Sequence, residues 1–156
     1  MRTRLRTGVA AVCAVGLLVS ACGSSEDATG KVNPDYADFC LKSAELDAES
    51  KGTHGEDPAA MSDPAKMKAA WTTIVDLASQ FEDVAPAKVK DDVSTLVGSI
   101  LAMNEVYKEY KYNLREMSHV PAVAEKLRTI ANSEDVVAAS TRFRSFMQKN
   151  CGEPAT

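Results

Sequence analysis

The sequence predicts an all-α protein built as a helical bundle. Apolar residues recur at alternating spacings of three and four along most of the chain, and no stretch alternates with period two for long enough to make a strand. Pro34, Pro64, Pro86 and Pro121 punctuate that pattern where a helix can begin or has to end.

Asn33-Pro34 supplies a capping residue followed by proline at the first helical position, so a first helix should start there and run to about Glu49. Its apolar side carries Tyr36, Phe39, Cys40, Ser43 and Leu46. Residues 50–62, with Gly52, His54, Gly55 and Pro58, are irregular and read as a loop. Asp63-Pro64 opens a second helix in the same way, with Met67, Trp71, Ile74, Ala78 and Phe81 as its stripe, and it stops ahead of Pro86.

The third helix has the strongest periodic signal. Val89, Val93, Leu96, Ile100, Met103, Tyr107, Tyr110, Leu114 and Met117 form an unbroken seam, so one helix is expected over residues 86–117. Gly98 lies off the seam and suggests a close approach of another helix. After Pro121 a shorter helix carries Val123, Leu127 and Ile130. A last one, capped near Ser133, carries Val136, Ser140, Phe143, Met147 and Cys151 and stops at Gly152.

The N-terminus is a different kind of segment. Arg2, Arg4 and Arg6 precede a short apolar run from Val9 to Val19, too short to span a bilayer comfortably, as in a secretory signal. The absence of a paired arginine points to the general export route. The closing segment Leu18-Val19-Ser20-Ala21-Cys22 resembles the lipobox of bacterial lipoproteins. That resemblance implies removal of residues 1–21, acylation of Cys22 with palmitate-type chains, and a mature protein anchored by lipid at the extracytoplasmic face of the cell membrane. Two or more acyl chains hold stably where one alone holds marginally. Residues 22–33, small and polar, then form a tether with a reach of about 18 Å, and 34–152 form the bundle domain.

Of the four cysteines, Cys13 leaves with the leader and Cys22 takes the lipid, which leaves Cys40 and Cys151. A pair exported to an oxidising compartment is most simply a disulfide. In an up-and-down bundle the start of the first helix and the end of the last meet only if the number of passes is even. Four passes satisfy the bond, so residues 121–150 must be a single kinked pass, about 45 Å long against about 48 Å for residues 86–117. The expected fold is therefore an antiparallel four-pass bundle, its last pass kinked, closed by Cys40–Cys151. The run Asp35-Tyr36-Ala37-Asp38-Phe39-Cys40, Ala85-Pro86 in the middle and Asn150-Cys151-Gly152 at the end is similar to small lipoproteins of actinobacteria, whose helical bundles are clasped by first- and last-helix cysteines. The resemblance implies location and fold and very little chemistry.

Composition excludes some functions. The leader holds three of the 18 basic residues and none of the 22 acidic ones, so the mature chain is acidic, with a net charge of −7. Nucleic acid is not an expected partner, and attachment to the membrane should rest on the lipid alone. Ser118-His119 places a nucleophile beside a base in sequence, but helical neighbours point about 100° apart. Asp91-Asp92 and Glu82-Asp83 read as solvated faces or helix-end charges. No catalytic motif stands out and no cofactor is implied, so a binding or interaction module is expected rather than an enzyme.

One end of the bundle could serve binding in two ways. The first helix is half the length of the third, so Tyr107, Tyr110, Leu114 and Met117 either are covered by other elements or line a cleft; Tyr112 points away from that seam. The alternative is an extracytoplasmic carrier for a small apolar ligand or a soft metal, with His54, Met61 and His119 gathered at the same far end, since thioether and imidazole suit soft cations. Methionine also fills core gaps, and the sequence leaves both arrangements open.

Overall fold

The computed structural model describes residues 31–55 and 62–152, with the side chains of 52–55 excepted. The leader, Cys22, most of the tether, Met61 and the side chain of His54 lie outside the described residues. Every element among those described is helical. A 3-10 turn, Pro34–Tyr36, leads into α1 (Ala37–Gly55), followed by α2 (Pro64–Asp83), α3 (Lys90–Glu109), α4 (Leu114–Ser118), α5 (Pro121–Ala131) and α6 (Glu134–Asn150).

The starts follow the capping residues. Asn33 Oδ1 accepts the backbone N–H of Asp35 at 3.1 Å, and Asp63 Oδ1 accepts that of Ala65 at 2.8 Å. α1 runs past the expected end at Glu49 to Gly55, so the first half of the anticipated 50–62 loop is helix. Local bonds favour the extension: Ser50 Oγ donates to the carbonyl of Leu46 at 2.8 Å, and Lys51 pairs with Asp47 one turn back at 2.6 Å.

α3 is the central element, packed against α2 on one side and against α5 and α6 on the other. The apolar core follows it in three clusters. Near the disulfide, Phe39, Phe81, Val93, Val97 and Met147 come together, with Phe39 stacked on Phe81 at 4.8 Å between ring centres and edge-on to Phe143 and Phe146. Met67, Trp71, Ile74 and Tyr112 form the second cluster, and Val106, Met117 and Val123 the third. Because α3 has neighbours on more than one side, Val97, Asn104 and Val106 are buried although the single seam omits them.

The same enclosure corrects half of the expectation for Asp92. It holds the first-turn position of α3 expected of a helix-end charge, but it is buried rather than solvated, because α6 lies across that side of α3; its carboxylate accepts from Nε and Nη2 of Arg142 at 2.8 and 2.6 Å. Gly98 is corrected as well, since a Cβ added there would meet nothing within 4 Å, so no helix approaches it closely.

The largest departure is the end of α3. The seam predicts a helix to Met117, but the helix stops at Glu109. Lys111 and Tyr112 turn into the left-handed region, with φ of 51° and 60°. The N–H of Tyr112 donates to the carbonyl of Tyr107 at 2.8 Å, and that of Lys111 to the carbonyl of Lys108 at 2.9 Å. These two bonds make a Schellman ending, with Lys111 at the position that glycine normally holds. Tyr112, expected to point away, is instead folded back into the second cluster, and its hydroxyl donates to Asn104 Oδ1 at 3.1 Å. Asn113 then caps α4, accepting the N–H of Glu116 at 3.2 Å.

The two chain ends of the domain are tied three times. Cys40 and Cys151 are disulfide-bonded with 5.4 Å between α-carbons. Asn33 N–H donates to the carbonyl of Asn150 at 2.7 Å, and Asn33 Nδ2 to Asn150 Oδ1 at 3.4 Å. Asn150 is itself buried and donates to the carbonyl of Phe146 at 2.9 Å. Gly152, with φ of 70°, ends α6 as the sequence predicts.

Replacing both Cys40 and Cys151 by alanine should lower the unfolding free energy by about 2–5 kcal/mol in denaturant melts, the usual range for small disulfide-bonded domains. An unchanged midpoint would show that the tie contributes nothing. Lys111→Gly should raise stability by about 0.5–1 kcal/mol, because glycine adopts the left-handed conformation without the Cβ conflict. Tyr112→Gly, which also removes a buried ring, should lower it, and the opposite signs at adjacent residues can be read from the same melts.

Candidate functional site

α1 rests on α2, and α6 rests on α3. At the disulfide end α1 and α6 are fastened together, whereas further along α1 the space between them forms a cavity of about 600 Å³. Its α1 wall presents Ser43, Leu46, Asp47, Ser50 and Lys51, a set spaced three and one apart that lies on one helical face. Phe81 of α2 together with Leu96, Val97 and Ile100 of α3 line its apolar surface, and Phe143 and Arg144 of α6 make the opposite wall.

The groove exists because of what α1 carries there. Ser43 and Ser50 flank Leu46 on the inward face, and neither side chain is large enough to fill the space towards α6. Ser50 is already satisfied by the Leu46 carbonyl. The polar groups on the rim differ in their pairing. Lys51 is matched by Asp47 at 2.6 Å, while Arg144 is exposed and forms no ion pair with any described residue. A volume of this size falls within the range of about 300–1,000 Å³ of small-molecule sites, and an apolar body with a few polar groups is their usual make-up.

The residues singled out from the sequence are elsewhere. Tyr107, Tyr110, Leu114 and Met117 are brought together, but as packing of the second and third clusters; Met117 is buried and none of the four lines the groove. Tyr107 lies against Trp71 with 4.5 Å between ring centres, and burial pushes its hydroxyl pKa up. His119 is exposed at the C-cap of α4, and the other two residues of the metal set, His54 and Met61, fall outside the described side chains. Among the described residues no three or more His, Cys, Asp or Glu side chains are grouped so as to hold a metal ion. No described helix is long and apolar enough to cross a membrane.

No protein-family model matches the chain, and neither a curated protein nor a solved structure does. The groove therefore has to be read from its own residues. Sequence reasoning missed Asp47, Arg144 and the role of Leu96 and Ile100 as walls. One signal was present: Ser43 interrupts the apolar stripe of α1 with a small polar side chain where a buried helix face would carry a larger one.

If Leu96 borders an open groove, Leu96→Glu should cost no more than about 1 kcal/mol, since its carboxylate can reach water. Val97→Glu, at a position only 3 % exposed, should cost several times more because the charge is buried without a partner. Thermal melts of the two variants test the geometry directly, and equal losses would mean that the groove is closed.

Proposed function

We propose that this chain is an exported lipoprotein, anchored through acylated Cys22 at the extracytoplasmic face of the membrane, whose helical domain binds a ligand and performs no catalysis. The six helices then count as four antiparallel passes, with α5 and α6 forming the broken last pass along α3. The single observation that carries the binding reading is the groove between α1 and α6. It combines apolar walls, a sparse polar rim and a ligand-sized volume.

The placement of the groove supports the same reading. The tether enters the domain at Asn33, beside the fastened ends of α1 and α6, and the groove begins at Ser43, about one helical turn beyond Cys40. A tether reaching about 18 Å would keep this side of the domain within range of the membrane surface. The working surface is thus assigned to the flank of the bundle, whereas the aromatic far end of α3 supplies packing.

Cys22→Ala should leave the precursor unprocessed or release the protein from the membrane, whereas the wild-type chain should enter the detergent phase on phase separation. Partitioning of the variant at the wild-type level would remove the basis for anchoring at this residue.

A further inference from the structure

We propose that the occupant of the groove is a single-chain anionic amphiphile, its apolar tail lying along Leu46, Leu96, Ile100 and Phe143 and its head group held by Arg144. This rests on the binding reading above and adds to it the chemistry of the ligand. The α1 face that lines the groove extends over nine residues, from Ser43 to Lys51, or about 12 Å of helix, so the site is an elongated trough. A trough with apolar sides on α1, α3 and α6 suits an extended hydrocarbon chain.

Charge decides the head group. The chain as a whole is acidic, with a net charge of −4, yet the rim of the groove carries Lys51 and Arg144 against Asp47 alone. Lys51 is already neutralised by Asp47 at 2.6 Å. Among the described residues Arg144 is left as the uncompensated cation at the mouth, on a helix face whose nearest turns hold Ser140, Thr141, Met147 and Gln148 and no acid. A guanidinium presents a planar fork of donors that matches carboxylate or phosphate oxygens. A protein partner fits less well, because stable protein interfaces bury upwards of about 1,000 Å² and the trough is a narrow concavity of ligand size.

Trp71 is the only tryptophan in the chain, and Leu46 and Ile100, which line the groove, also pack against its cluster, so its fluorescence can report occupancy. The full-length chain carrying Cys22→Ser, which has no acyl anchor to compete, is titrated with dodecanoate, dodecyl phosphate and dodecanol. The two anionic probes should bind roughly five- to tenfold more tightly than the alcohol, as expected for a partly exposed charge-assisted contact. The ratio between the two anions tells a carboxylate ligand from a phosphate-bearing one. Arg144→Gln should erase the preference without weakening dodecanol binding, and Arg144→Lys should restore part of it. Ser43→Phe, which fills the trough from the α1 side and keeps Trp71 as the sole tryptophan, should weaken all three probes at least tenfold without lowering the melting temperature. Equal binding of the alcohol and the anions, or a preference that survives Arg144→Gln, would overturn the head-group assignment and leave the groove reading in place. Failure of every probe to bind, or binding unaffected by Ser43→Phe, would overturn both.

Discussion

The covalent tie between Cys40 and Cys151 is the constraint on which the rest of the arrangement depends. It joins residues 111 apart in sequence and fixes the beginning of α1 against the end of α6. In chain-entropy terms a loop of that length is worth about 4–5 kcal/mol. Noncovalent contacts reinforce the same place: Asn33 bonds to Asn150 through backbone and side chain, and Phe39 nests between Phe81, Phe143 and Phe146. One end of the domain is thereby over-determined, with covalent, polar and aromatic ties within a few residues of each other. Among the described residues no comparable tie joins α1 and α6 farther along, and there the groove opens.

The second organising feature is the position of α3 at the centre. A helix with neighbours on several sides cannot keep a single apolar seam, which is why Asp92, Asn104 and Val106 are buried in addition to the predicted stripe. Each buried polar group there is satisfied in a way that also fixes geometry. Asp92 takes Arg142 and so sets α6 against α3, while Asn104 takes the hydroxyl of Tyr112 and so holds the chain as it leaves α3. The Schellman turn at Lys111 works together with that second bond. It reverses the chain at a point where a continuing helix would have carried Leu114 and Met117 beyond the reach of α5.

Much of the fold was legible in the sequence, and the reasons differ by element. The helix starts at Asn33-Pro34, Asp63-Pro64 and Pro121 were readable because capping and proline chemistry are local. The disulfide was readable from cysteine counting and from the export expected of the N-terminal segment. The end of α3 was not, because glycine or proline normally marks such a break and here a lysine takes the left-handed position; the tertiary contacts of Tyr112 stabilise a turn that its own residue types do not announce. The apolar period continued across the break, since residues on both sides of a reversal can face the same core. The groove was not legible for a related reason. It is defined by where α1 and α6 separate, and periodicity identifies an apolar face without saying what covers it. Ser43 alone, placed within the stripe of α1, hinted that the face was incompletely filled.

The groove and the disulfide are connected in energetic terms. Leu96 and Ile100 are apolar side chains left half-buried, so the domain forgoes part of the burial that a larger residue at Ser43 or Ser50 would have provided, at about 25 cal/mol for each Å². A domain of this size has little stability to spare, and an unfilled trough along one flank is a cost a purely structural bundle has no reason to bear. The cross-link offsets that cost without occupying the space, because it acts mainly by restricting the unfolded chain. It also fixes one end of each groove wall, so under the binding reading proposed above the walls would be set in position before a ligand arrived and less freedom would be lost on binding. A bundle that needed only to persist could have closed the trough with two larger side chains on α1. Keeping serines there, and fastening the ends covalently, is the arrangement expected of a fold that must be both stable and open along one side.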